Sequence, residues 1–193
     1  MSHNQPKRKT KPVPPGPGRE RRIGEMLRVD HAGETAAVGI YRGQQAVFGG
    51  VANKQHLAGQ FAQMQAEEQV HLEAFETQLR QREQAPTLMI GLWQGMSYAL
   101  GVGTALLGEK AAHACTEAVE DVIEKHYQAQ IDELQTTGEE PELRDLFIQF
   151  RQDELGHRDS AVQAGAKQAA GYPVLSAVIR AGCKAAIRIS EKI

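Results

Sequence analysis

The chain has 193 residues, 41% of them apolar and 24% charged, with a formal net charge of −2. That is one domain with tails, and the composition excludes a disordered, collagenous or wholly membrane-embedded protein. Aromatic residues reach only 5%, which argues against the stacking platforms that bind single-stranded nucleic acid.

Charge is unevenly placed. Residues 1–22 hold Lys7, Arg8, Lys9, Lys11, Arg19, Arg21 and Arg22 against Glu20 alone, a balance of +6 that leaves −8 for the rest. An acidic body excludes nucleic acid as a partner. The basic stretch also carries Pro6, Pro12, Pro14, Pro15 and Pro17, and reads as a disordered, solvated arm attracted to anionic lipid. No apolar run follows it, so it is not a secretory signal.

From about Glu20 onward the dominant pattern is helical. Leu27, His31, Glu34, Val38, Tyr41, Gln45 and Phe48 recur at alternating steps of four and three, one stripe of a first helix that Gly49-Gly50 ends. Leu57, Phe61, Met64, Glu68, His71, Phe75 and Leu79 form a second stripe, ended near Pro86. Residues 88–107 contain no charge and as a helix are about 30 Å long, enough taken alone to span a bilayer. A third stripe follows with His113, Thr116, Glu120, Ile123, Tyr127, Ile131 and Leu134, broken at Thr136-Thr137-Gly138. Pro141 suits the first position of a fourth helix, whose stripe is Leu143, Phe147, Phe150, Glu154, His157, Ala161 and Ala164. The last segment, about 174–193, places Arg180, Lys184, Arg188 and Lys192 every four residues opposite Leu175, Val178, Ile179, Ile189 and Ile193. It is a basic amphipathic helix that either lies on a membrane or packs on the bundle. No alternating strand pattern competes, so the class is all-α.

Each of the four apolar stripes is interrupted by a glutamate: Glu34, Glu68, Glu120 and Glu154. A buried carboxylate is costly unless it is paired, protonated or bound to a metal, and no lysine or arginine shares these stripes. A histidine follows two of them at i+3, on the same helix face, as Glu68-x-x-His71 and Glu154-x-x-His157. With 18 glutamates and 7 histidines chance gives roughly 0.65 such pairs. Two of them, both on core stripes, are a stronger signal. Glu34 to Glu68 and Glu120 to Glu154 are each 34 residues, and Tyr41 and Tyr127 each lie seven after the leading glutamate. The chain reads as two similar hairpins, each supplying Glu, Glu and His.

Packed face to face, the hairpins form a ferritin-like four-helix bundle with a two-metal site. Four carboxylates balance two divalent ions, and mixed oxygen and nitrogen donors suit iron or manganese. If the six ligands meet, residues 88–107 cannot cross a membrane, because a single span would separate the hairpins. They are then the long crossover between helices two and three, either an apolar cap dipping into lipid or an ordinary packed helix. Glu67 and Asp153, each preceding a Glu-x-x-His glutamate, are candidate acceptors for imidazole N–H groups, or solvated. Tyr41 and Tyr127 are candidates to line a pocket or hydrogen-bond a ligand. His126, about 120° from Glu120 around its helix, is a candidate for proton or electron delivery, or a packed surface residue. His31 supports Glu34, and His3, His56 and His113 have no comparable spacing. Cys115 and Cys183 form no Cys-x-x-Cys pair and read as small core residues of a protein from a reducing compartment.

The stretches RVDHAGE (28–34), EEQVHLEAF (67–75), ALGVGTALLG (99–108), EKHY (124–127) and DELGHRD (153–159) resemble the demethoxyubiquinone hydroxylase family, the di-iron monooxygenases of ubiquinone biosynthesis. The likeness runs from about 23 to the C-terminus, with ETAAVGIY (34–41) departing where the family often has a bulkier aromatic residue after the glutamate. The resemblance implies O2-dependent hydroxylation of a polyprenyl benzoquinol ring at two iron ions. It implies Glu34, Glu68, His71, Glu120, Glu154 and His157 as ligands, with Glu68 and Glu154 bridging. It also implies a reductant (NADH or another donor) and a peripheral position on the cytoplasmic face of a bacterial cell membrane, with other proteins of ubiquinone biosynthesis as further candidate partners. The alternative on the same ligands is a ferritin-type ferroxidase or iron-storage bundle.

Overall fold

The computed structural model describes residues 17–193, so positions 1–16 of the solvated arm expected over 1–22 lie outside them. The described chain runs α1 (Pro17–Gly49), α2 (Gln55–Gln81), α3 (Ile90–Leu106), α4 (Glu109–Thr137), α5 (Pro141–Gln163) and α6 (Tyr172–Ser190), with short 3-10 turns at Ala52–Lys54 and Ala166–Gln168. No strand occurs among the described residues. The first helix begins six residues before the boundary expected from composition. Arg19 pairs with Glu133 at 3.0 Å and Glu139 at 2.8 Å, and Arg22 with Glu133 at 3.1 Å and Glu191 at 3.6 Å. These basic residues therefore tie α1 to the ends of α4 and α6 instead of belonging to an arm.

α1 packs on α2 and α4 on α5, as two hairpins. Cross-links run in reverse order along α1 and α4: Arg22 meets Glu133, Asp30 meets Gln130, and Tyr41 meets Glu120. The two helices are antiparallel. One apolar cluster joins all four helices at one end, with Leu27, Phe75, Leu134 and Phe147 fully covered. Each such side chain contributes about 1.5–3 kcal/mol by leaving water. A second cluster at the other end is built on Tyr41, Phe48, Phe61 and Met64 with small alanines between. The glutamates lie between these two apolar zones. α4 ends at Gly138, whose φ of +67° lets the chain leave the helix left-handed, and Pro141 starts α5.

α3 lies along α1. Its Gly101 sits against the Ile40 carbonyl, where any Cβ would collide, so the two backbones touch only because this residue is glycine. Among the described residues no helix is long and apolar enough to cross a membrane. Leu92, Met96, Leu106 and Leu107 on this helix and its C-terminal end are nonetheless exposed.

α6 packs on α4 through Leu175, Ser176 and Ile179, leaving Val174, Val178 and Lys184 exposed. Arg180 departs from the expected solvated basic stripe: it bonds Glu117 at 2.7 Å and Asp121 at 3.1 Å on α4. The Trp93 Nε1–H donates to Ser190 Oγ at 3.0 Å and links α3 to the end of α6. The α1 stripe is also shifted locally, with Gln44 rather than Gln45 fully buried.

Candidate metal centre

Glu34 comes from α1, Glu68 and His71 from α2, Glu120 from α4, and Glu154 and His157 from α5. All six are buried, His157 being the most accessible at 6%. Their donor atoms form two groups, Glu34–Glu68–His71–Glu154 and Glu68–Glu120–Glu154–His157, within each of which the atoms lie no more than 4.8 Å apart. Glu68 and Glu154 belong to both. Periodicity put one carboxylate on each core stripe, and antiparallel packing of the hairpins brings the four stripes to one level.

Each imidazole turns Nδ1 inward. His71 Nδ1 is 3.3 Å from Glu68 Oε2 and Glu154 Oε1 and 3.6 Å from Glu34 Oε2. His157 Nδ1 is 2.9 Å from Glu68 Oε1 and 3.5 Å from Glu154 Oε2. The outward nitrogens cross to the other hairpin, His71 Nε2 at 3.3 Å from Asp153 Oδ2 and His157 Nε2 at 2.8 Å from Glu67 Oε2. Such carboxylates fix the ring orientation and tautomer of a metal-binding histidine. The two tyrosines also cross over: Tyr41 donates to Glu120 and Tyr127 donates to Glu34. Burial and nearby carboxylates push both phenols well above their ordinary range, so they stay protonated donors.

Both oxygens of Glu68 and of Glu154, Glu120 Oε2 and the Nδ1 atoms of His71 and His157 are buried with no hydrogen-bond partner among the described residues. Buried polar atoms this numerous are not left unsatisfied in folded proteins. Burial, reinforced by the neighbouring carboxylates, raises Glu34 and Glu120 well above the usual range. Burial works against charge on Glu68 too, but the facing imidazoles of His157 and His71 outweigh it and hold this carboxyl at about 2. Burial opposes the charged imidazoles, yet the surrounding carboxylates lift His157 to about 12 and His71 far above its usual range. Without metal the cluster therefore holds protons on its histidines. Four acidic and two imidazole donors in two overlapping groups fit a pair of divalent ions: the donor atoms are unpartnered and the charges cancel.

His126 does not reach this cluster. Its Nε2 lies 3.5 Å from Asp30 Oδ1 and 3.1 Å from Gln130 Nε2, because position 126 faces away from the Glu120 stripe. Asp30, fully buried and raised above its normal range by burial, is a polar core residue that the sequence reading passed over, although it stands one helical turn before Glu34. Gln44 likewise has no signal in the spacing, whereas His113 and Thr116 are buried on the α4 stripe where periodicity puts them.

An apolar cleft of about 340 Å³ opens between α1, α3, α4 and α6. Its lining includes Gly33 and Val119, the sequence neighbours of Glu34 and Glu120, with Ile40, Leu100, Ile123 and Cys183. Burial keeps the thiols protonated, with Cys115 pushed up to about 12 and Cys183 to about 11.

The fold and this centre define a ferritin-like helical bundle with a buried carboxylate–histidine cluster able to hold metal. Comparison with known proteins gives the particular family. The family described as ubiquinone biosynthesis protein COQ7 matches residues 21–190. The chain is 45% identical over 181 residues to the 3-demethoxyubiquinol 3-hydroxylase of Rhodospirillum rubrum, covering 94% of this chain and 83% of that protein. It is 40% identical over 173 residues to the mitochondrial NADPH-dependent 3-demethoxyubiquinone 3-hydroxylase of Homo sapiens, covering 89% and 78%. The mitochondrial 5-demethoxyubiquinone hydroxylase of Saccharomyces cerevisiae is 35% identical over 184 residues. The chain belongs to the COQ7 family of ubiquinone-biosynthesis proteins.

Proposed function

We propose that this protein hydroxylates the ring of a polyprenyl demethoxybenzoquinol with O2 at a two-iron centre held by Glu34, Glu68, His71, Glu120, Glu154 and His157. The observation that carries the reading is the pair of overlapping donor groups sharing Glu68 and Glu154 beside an apolar cleft. These residues would hold ferrous iron, which would supply the electrons and Lewis acidity for O2 activation. Glu68 and Glu154, common to both donor groups, would hold both ions. Asp153 and Glu67 keep Nδ1 of His71 and His157 aimed inward, and Tyr127 and Tyr41 fix the carboxylates of Glu34 and Glu120.

The cleft suits the apolar part of the substrate, and its lining residues Gly33 and Val119 are the sequence neighbours of Glu34 and Glu120. Its apolar lining keeps bulk water from the reacting centre. A nicotinamide reductant is the proposed electron donor, supported by the printed names of relatives such as the human protein. Exposed Leu92, Met96, Val174 and Val178 with Lys184 and Arg188 support peripheral attachment to an anionic bilayer. We place that bilayer at the cytoplasmic face of a bacterial cell membrane, the reducing side being consistent with two free thiols. Storage of iron does not account for an apolar cleft against the cluster, so the ferroxidase reading is not favoured.

The test is incubation of iron-loaded protein with demethoxybenzoquinol and 18O2. The reading predicts one 18O atom in the ring product. A product labelled only from water, or oxidation of iron with the quinol unchanged, overturns it.

A further inference from the structure

The α4 face that carries Glu120 holds a second row of polar groups. Glu109, His113, Thr116 and Glu120 follow at steps of four, three and four, one line along the helix from its first turn to the metal cluster. Glu109 stands at the surface, its side chain 40% exposed and paired with Lys54 at 3.2 Å. His113 and Thr116 are buried, at 0% and 1% exposure. Both ring nitrogens of His113, Thr116 Oγ1 and Oε1 of the fully buried Gln44 have no hydrogen-bond partner among the described residues. Gln44 is fixed from the opposite helix, because its Nε2 donates to the Ala112 carbonyl at 3.1 Å. The His113 ring is packed against Phe61, with centroids 5.2 Å apart.

One of the His113 nitrogens carries a hydrogen in any tautomer, so this interior contains an unpaired donor beside unpaired acceptors. Folded proteins satisfy such groups with ordered water, which needs a polar site and two to four partners. Around these groups the apolar cluster mixes bulky Tyr41, Phe61 and Met64 with small alanines (Ala37, Ala58, Ala105, Ala112), none of which offers a polar partner. A helical rise of 1.5 Å per residue puts His113 about 10 Å from the level of Glu120, a span of two to three waters.

We propose that a file of ordered water held by Gln44, His113 and Thr116 runs along α4 and connects solvent near Glu109 to the metal cluster at Glu120, with His113 positioning it as a proton path. Hydroxylating a C–H bond with O2 and two electrons from a nicotinamide-type reductant consumes two protons at the site and yields one water. The apolar cleft conducts neither, and the α4 file supplies the polar route on another side of the cluster. The neutral imidazole, held so by burial against the opposing pull of Glu109, both accepts and donates a hydrogen bond and passes a proton along the file without becoming a fixed charge.

The functional part of this inference rests on the hydroxylase reading, so the first test uses metal-free full-length protein and needs no activity. A crystal structure at a resolution that shows water should contain at least two ordered waters bonded to Gln44, His113 and Thr116. The ring N–H of His113, followed by 15N NMR, should exchange with water at least 100-fold faster than the backbone amide of Ala118. Thr116→Val should slow that exchange about tenfold. Absence of the waters, or ring exchange as slow as the core amide, overturns the proposal whatever the enzyme does. In iron-loaded protein His113→Leu should lower kcat at least fivefold with KM unchanged and raise the solvent deuterium isotope effect, and His113→Gln should restore most of the rate. A His113→Leu enzyme with unaltered kcat and isotope effect refutes the proton role.

Discussion

The outward imidazole contacts allow a quantitative prediction, because the two are not equal. His157 Nε2 is 2.8 Å from Glu67, and His71 Nε2 is 3.3 Å from Asp153, while both carboxylates are equally exposed at 46%. Solvent screening is thus matched and distance decides. Replacing the partner of a metal-binding histidine typically costs 10- to 100-fold in metal affinity, or about 1.4–2.7 kcal/mol. Glu67→Gln should fall near the upper end and Asp153→Asn near the lower. The helices should remain intact, since both side chains sit at the rim. The assay is competition of the metal-loaded protein against a chelator of known affinity, with circular dichroism as the fold control. Wild-type affinity in both variants, or a larger loss for Asp153→Asn than for Glu67→Gln, would refute the assignment of these carboxylates as the supports of the two rings.

Other expectations follow from the same geometry. Glu68→Ala removes a donor common to both groups and should abolish loading of two metals, read as metal per chain, while lowering the melting temperature of the metal-free protein, because it takes away a carboxylate held ionised by two facing imidazoles. The raised His157 value stabilises the metal-free fold fully below the unfolded value near 6.5, and that contribution fades as pH climbs toward about 12. Metal-free protein should therefore lose melting temperature between pH 7 and 9, metal loading should cancel most of that loss, and binding calorimetry in buffers of different ionisation heat should register proton release. Phe75→Ala, at a fully buried position, should cost about 3–5 kcal/mol in denaturant unfolding. Ile123→Trp should fill the inner cleft and raise the KM for a prenylated quinol at least tenfold with metal content unchanged.

Much of this was legible in the sequence, because a buried glutamate on an apolar helical stripe is an anomaly that periodicity exposes. Glu34, Glu68, Glu120 and Glu154 all lie in the interior, and the matched 34-residue intervals correspond to matched hairpins. Contacts between helices were not legible. That Glu67 serves His157 and Asp153 serves His71 depends on how α2 and α5 face each other, which no spacing along one chain encodes. The inward turn of Arg180 needed the acidic pair Glu117 and Asp121 on α4, and the early start of α1 needed Glu133 as partner for Arg19 and Arg22. His126 is packed beside Asp30, as its 120° offset from Glu120 allows, while Asp30 itself carries no signal in the spacing. The cleft has walls from four helices and no signature in any one of them.

The central claim is that six side chains from both hairpins hold two metal ions together. Anomalous diffraction at the iron edge from crystals of iron-loaded protein tests it directly. The account predicts two peaks about 3.5–4 Å apart, both within bonding distance of Glu68 and Glu154, with His71 on one and His157 on the other. A single peak, or iron bound anywhere outside these six residues, would contradict it.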